Sequence, residues 1–255
     1  MAQFCSNRCH IRYTAFFTGR DHVLEQLFQG FTSEHNSGMV PVQALTGLGG
    51  LGKTQTAVAY AYRYRKQYQT VLWIRAETEE DLLAHFKILA ELLERPEANL
   101  KQRESLLASI QEWFRNTMDW LLILDNADNL AMVEPFLPRF ASGHLLLTSR
   151  EIAMGSLAQP LALTPLTPDD GALCILRRAN YIPWSGQLSD ASSASVKAAR
   201  ELSQLMDGLP PALNKLEPIL KQLEEVSVGT LNSTGNTDLR SSSTNMERFP
   251  IIVKL

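Results

Sequence analysis

Hydrophobic positions along this chain follow two alternating periods. Short unbroken apolar runs, "MVPVQAL" (39–45), "TVLWIRA" (70–76), "WLLILD" (120–125) and "HLLLTSR" (144–150), have the length and composition of buried strands. The intervening segments repeat every three or four residues. "KTQTAVAYAYRYRKQY" carries Ala57, Val58, Ala61 and Tyr62 at helical spacing, and "ETEEDLLAHFKILAELLE" (77–94) makes a stripe of Leu82, Leu83, Phe86, Leu89, Ala90 and Leu93. Pro96 closes that second unit, and "ESLLASIQEWFRN" (104–116) is a further amphipathic helix. Strands alternating with helices and buried on both faces predict an α/β fold, a parallel doubly wound sheet whose ligands sit at the carboxyl ends of strands.

After Pro160 the pattern changes to short helices. "TPDDGALCILRRANYI" opens with a cap, Thr167 ahead of Pro168, Asp169 and Asp170, and its Ala172, Leu173, Leu176 and Ala179 form a packing face. "DASSASVKAARELSQLMDGLPPAL" adds another helix. From about Ser227 the chain turns to "SVGTLNSTGNTDLRSSSTNMER", nearly free of large apolar side chains, which predicts disorder, and the closing "FPIIVKL" is too short to fold alone. The expected organisation is therefore an N-terminal extension (1–13), an α/β domain (14–158), a helical subdomain (159–226) and a polar tail (227–255).

Candidate chemistry lies at the junction of the first strand and helix. "TGLGGLGKTQTAVAYAYRY" (46–64) places Gly47, Gly49, Gly50 and Gly52 immediately before a helix, and Gly47, Gly52, Lys53 and Thr54 fit G-x-x-x-x-G-K-[ST] without a gap. Glycine lacks Cβ, admits positive φ and lets a ligand approach the main chain. Backbone N–H groups from Gly49 through Leu51 to Thr54, with Gln55 following, would curl round a β-phosphate at the positive end of the helix dipole. Lys53 would reach the β- and γ-oxygens, and the Thr54 hydroxyl would ligate Mg²⁺. Asp125 ends the third apolar run as a magnesium-binding carboxylate should; alone it also reads as the start of a turn, since Asn126, Asp128 and Asn129 are turn formers. Arg150, ending the next run, offers a planar fork of donors to a γ-phosphate; without the other motifs it reads as a surface arginine.

Composition narrows the field. The chain has 255 residues, 45% apolar and 20% charged, with a formal net charge of -3. It carries no field favouring nucleic acid or an anionic membrane. Arg63, Arg65 and Lys66 read as the solvated face of the first helix, and Tyr60, Tyr64 and Tyr68 as packing and surface cover. Cys5, Cys9 and Cys174 are too few and scattered for a disulfide framework, which fits a reducing, cytoplasmic compartment. Cys5, Cys9 and His10 invite a zinc reading, but no second ligand pair follows at finger spacing. No apolar stretch approaches the roughly 18 residues of a membrane span, and the N-terminus lacks an apolar signal core.

With these pieces placed, the chain resembles the NB-ARC class of signalling nucleotide switches, STAND-type P-loop NTPases shared by plant disease-resistance proteins, the apoptosome scaffold and bacterial repeat-containing regulators. Five motifs carry the resemblance in order: "FFTGRDHVLEQL" (16–27), the loop at 47–54, "LLILDNAD" (121–128), "HLLLTSR" (144–150) and "GLPPAL" (208–213). The resemblance implies that Phe17, Thr18, Gly19 and Arg20 lie over adenine and ribose, that Pro210 caps adenine, and that Arg150 senses the γ-phosphate. It implies an ADP-held resting form released by exchange for ATP, and partners drawn from adenine nucleotide, the chain itself or related signalling proteins.

Two departures from the family pattern matter. Members often carry two adjacent acids after the third strand, whereas Asn126 follows Asp125 here. An amide orients water but cannot take its proton, and general-base help is worth a factor of roughly 10² to 10⁴, so slow hydrolysis is expected. Members also usually continue into a winged-helix subdomain and repeats, where this sequence has a polar tail, and the expectation is a truncated member. The alternatives are a competent P-loop or AAA-type ATPase and a non-functional remnant.

Overall fold

The computed structural model describes residues 17–33, 40–92, 103–139 and 143–211, with the backbone of Val253–Lys254. The chain divides into two compact units between Thr164 and Pro165.

The first unit is a parallel sheet. β1 (Val42–Thr46), β2 (Thr70–Arg75), β3 (Trp120–Asp125), β4 (Gly143–Ser149), β5 (Gln159–Ala162) and the two-residue β6 (Val253–Lys254) lie in the order β5-β1-β4-β3-β2-β6, all pairs parallel. Every residue of β3 is buried, as expected for a central strand covered on both sides. On one face, Leu122 and Leu124 of β3 join Leu72 and Ile74 of β2 and Leu145 and Leu147 of β4 in a cluster with Leu82, Phe86 and Leu89 of α3 (Glu79–Leu92) and Leu106, Ile110 and Phe114 of α4 (Arg103–Asn116). The strand period of two sends the alternate residues to the other side. There α2 (Lys53–Arg63) packs on β1, β3 and β4, and α1 (Asp21–Thr32) on α2, β1 and β5.

The four strands read from apolar runs and the helices α2, α3 and α4 sit where the pattern placed them. α1 was named as a motif and not as a helix; its Val23, Leu24, Leu27 and Phe31 form the buried face. β5 is new. Its "QPLA" is mostly exposed because an edge strand with one neighbour needs no apolar run, and Pro160, lacking an N–H, is tolerated there. The first unit therefore runs through Thr164, where the sequence reading began the helical region at residue 159. Tyr60 is fully buried, Tyr64 stacks on Phe28, and the Tyr60 and Tyr68 hydroxyls lie 2.9 Å apart.

The second unit contains α6 (Pro168–Arg178) and α7 (Ser193–Leu205); the short α5 (Leu130–Val133) belongs to the first. Thr167 caps α6 by accepting from the Asp170 N–H, with Pro168 in the first turn, and Ser192 caps α7 in the same way. Ala172, Ile175, Leu176, Val196 and Ala199 form the core between the two helices, and Arg200 pairs with Asp169 across their exposed side at 2.5 Å. The expected N-terminal extension, with Cys5, Cys9 and His10, and all of the expected tail but Val253–Lys254 lie outside the described residues. Among the described residues no helix is long and apolar enough to cross a membrane.

Candidate functional site

The parallel sheet delivers all strand carboxyl ends to one rim. β1 ends at Thr46 and runs into the glycine loop; β3 ends at Asp125 beside it, and β4 at Ser149 between the two. In the loop Gly47, Gly50 and Gly52 take φ of 131°, 83° and 87°, values a side chain resists. Gly47 is also crowded: a Cβ there would come within 2.9 Å of the Leu163 carbonyl oxygen and of Leu51 Cδ1. The Leu163 N–H in turn donates to the Thr46 carbonyl at 2.8 Å, extending the β5 edge alongside the loop. Gly49 differs. A Cβ at Gly49 meets nothing within 4 Å, so its space opens outward.

Lys53 begins α2 with its ammonium turned back into the loop, donating to the carbonyls of Gly47 at 2.7 Å and Leu48 at 2.9 Å. The residue is only 8% exposed. Burial pulls its pKa below the ordinary lysine value; the nearby Asp128 opposes this, Arg150 adds to it, and Asp125 opposes it. Next along the helix, the Thr54 hydroxyl donates to Asp125 Oδ1 at 2.8 Å, and the Thr148 hydroxyl of β4 donates to the same oxygen at 2.6 Å. The two residues assigned to magnesium from the sequence, Thr54 and Asp125, are thus in direct contact across 71 positions of chain. Thr148 was not singled out in the sequence, where it is one polar residue closing an apolar run.

Beyond β3 the chain turns at Asn126, which adopts φ 62° in the left-handed region that asparagine tolerates. Its N–H donates to the Thr148 hydroxyl at 2.9 Å, and its side-chain amide donates to Glu77 Oε1 at 2.7 Å. Arg150 does not stand alone. Its Nε donates to Asp128 Oδ2 and its backbone N–H to Asp128 Oδ1, both at 2.6 Å, while Ser149 Oγ lies 3.2 Å from Oδ1. Burial pushes the Asp128 carboxyl up, but the Arg150 N–H and guanidinium, with Ser149, outweigh it and hold the pKa below the usual carboxylate value.

Of the residues expected over adenine, Thr18 is buried, Phe17 and Gly19 are half-buried, and Gly19 has φ 76°. Arg20 is 4% exposed, with its guanidinium donating to the Thr164 carbonyl at 2.5 Å and reaching the Leu51 carbonyl at 3.4 Å. It braces the loop from behind. Gln55 points from the exposed side of α2, and Pro210 belongs to the second unit, where it opens a helical turn.

The donor set fits a magnesium-bound polyphosphate. Successive loop N–H groups precede a helix N-terminus, an ammonium lies inside the loop, and a hydroxyl and a carboxylate already touch. Such an arrangement can neutralise a di- or triphosphate and hold a divalent cation by hard oxygen ligands.

Comparison with known proteins agrees with this geometry. The model of the AAA domain family matches residues 41–152. A putative disease resistance protein of Solanum bulbocastanum is 29% identical over 199 residues, 74% of this chain and 20% of the relative. A nucleotide-binding leucine-rich repeat (NLR)-like protein of Hyaloscypha variabilis is 31% identical over 120 residues, 46% of this chain and 12% of the relative. The chain thus spans a fifth or less of these curated relatives. Among solved structures, a signal transduction ATPase with numerous domains (STAND) and a tetratricopeptide repeat sensor, from Pyrococcus horikoshii, shares the fold at a TM-score of 0.53. It is 19% identical, with 78% of this chain and 29% of that one covered. With the loop, the Thr54–Asp125 contact and the parallel sheet in place, the chain has the fold of a P-loop NTPase and is similar over part of its length to proteins of the NB-ARC/STAND class.

Proposed function

We propose that this chain is an adenine-nucleotide binding switch module that takes ADP or ATP with Mg²⁺ and hydrolyses ATP slowly. The observation that carries the reading is the hydrogen bond between Thr54 and Asp125 beside a lysine held inside the glycine loop. The loop N–H groups and Lys53 hold the β- and γ-phosphates; the Thr54 hydroxyl and the Asp125 carboxylate hold Mg²⁺, which neutralises phosphate charge. Thr148 donates to the same Asp125 oxygen as Thr54 and fixes the carboxylate. Phe17, Thr18 and Gly19 border adenine and ribose, while Arg20 braces the loop through the Leu51 and Thr164 carbonyls.

Arg150 is the terminal-phosphate sensor. Its Nε donates to Asp128 Oδ2, so Asp128 can orient the guanidinium while its other N–H donors reach the phosphate. Asn126 stands where a second acid would follow Asp125, and its amide can orient the attacking water but cannot itself take the proton. The similar Pyrococcus structure, named as a signal transduction ATPase, supports a signalling role, and we infer self-association or related signalling proteins as partners.

Quenching the purified protein and separating released nucleotide by chromatography tests the reading, with ADP near one per chain expected. Folded protein that ignores millimolar ADP and ATP in the presence of magnesium overturns nucleotide binding. Steady-state hydrolysis at tens per second without a partner overturns the switch and supports a competent ATPase.

A further inference from the structure

We propose that Glu77, at the end of the neighbouring strand, is the general base of ATP hydrolysis, taking the part that Asn126 cannot. The inference rests on the reading that Mg²⁺-ATP occupies the glycine loop. The strand register brings the two residues together: Arg75 pairs with Asp125, and the Ala76 N–H donates to the Asp125 carbonyl at 2.8 Å. Asn126 therefore leaves β3 level with Ala76, and Glu77 follows one position further along the rim. The left-handed turn at Asn126, fixed by its N–H on Thr148, sends its side chain toward Glu77. A carboxylate only accepts, so the Asn126 amide must present its NH₂ to Glu77 Oε1, 2.7 Å away.

The acids that flank Asn126 in sequence are already committed. Asp125 Oδ1 takes the Thr54 and Thr148 hydroxyls, and Asp128 takes the Arg150 N–H, the Arg150 guanidinium and Ser149. Glu77 is exposed, and a carboxylate has about four lone-pair sites over two oxygens, so one amide leaves room for a water. The acid and the amide have exchanged strands: the proton acceptor stands on the β2 side and its holder follows Asp125. In the step, a water oxygen bonds to the terminal phosphorus while the bond from that phosphorus to the bridging oxygen breaks. Glu77 accepts the water proton, ADP departs with the bridging electron pair, and the proton then passes to solvent.

The test is Glu77→Gln, which preserves an acceptor for the Asn126 amide but cannot take a proton. Conversion of bound ATP is followed by chemical quench, with ADP and ATP affinity measured by calorimetry and folding by thermal melting. Conversion is expected to slow about 10²-fold or more, with both affinities within about twofold and the melting temperature unchanged. Incubated variant should retain ATP where the parent holds ADP. Asn126→Asp in the Glu77→Gln background returns a carboxylate to the pair and is expected to recover about tenfold or more of the lost rate. Conversion by Glu77→Gln at the parental rate, a loss that the second change leaves untouched, or a parent that binds ATP and never converts it would each overturn the assignment. A parent that binds neither nucleotide overturns the underlying reading instead.

Discussion

The loop between β1 and α2 and the rim formed by β3 and β4 meet at the carboxyl ends of the strands and are built of different materials. The loop offers main chain: Gly47, Gly50 and Gly52 in left-handed conformations, with a lysine drawn onto the Gly47 and Leu48 carbonyls. The rim offers side chains, with Thr54, Asp125, Thr148 and Asn126 in one hydrogen-bonded run and Asp128, Ser149 and Arg150 in another. Substitutions in the loop should therefore act through backbone strain and those at the rim through charge and hydrogen bonding. Proteins tolerate unusual backbone where the surroundings hold it, as the Leu163 N–H on the Thr46 carbonyl and Arg20 on the Leu51 carbonyl do here.

The sharpest way to break that contrast is Gly47→Ala. It combines positive φ with a clash against the Leu163 carbonyl, and should cost about 2–4 kcal/mol of folding stability in chemical denaturation. Lys53→Ala should leave the fold nearly intact yet weaken ADP and ATP in calorimetry, because it removes charge-assisted contacts of about 1.5–3 kcal/mol each, at least tenfold in affinity. Thr148→Val strips a hydroxyl from Asp125 and from the Asn126 N–H, and should cost about 1–2 kcal/mol by the same denaturation measurement. Arg150→Ala should change stability by less than about 1 kcal/mol, because its pair with Asp128 is largely solvent-exposed, but should weaken ATP several-fold more than ADP. Equal losses for the two nucleotides would remove Arg150 from the terminal phosphate. Gly49→Ala should be smallest, within about 0.5 kcal/mol in folding, so any loss of nucleotide affinity in that variant reports the ligand's own approach.

Much of this was legible in the sequence because it is written locally. A buried central strand must be apolar at every position, so β3 ends at Asp125 in the chain as in the fold. The phosphate loop is contiguous, and its glycines announce their conformations. What the sequence hid is what neighbouring elements supply. β5 follows from pairing with β1, and its own residues, mostly exposed, carry no strand period. Thr148 gains its role from lying one strand away from Asp125, and Glu77 from a register that a single sequence does not state. Arg20 was assigned to adenine from its motif, yet its guanidinium spans the Leu51 and Thr164 carbonyls, a link between positions 31 and 144 residues away.

The position of the Lys53 ammonium has an energetic corollary. Because it is already withdrawn from bulk solvent and satisfied by two peptide oxygens, an arriving phosphate exchanges one set of oxygens for another and strips little hydration from the cation. Such an exchange would be pre-organised, and any selectivity for phosphate over other anions would then be set less by the ammonium than by the shape of the peptide nest around it.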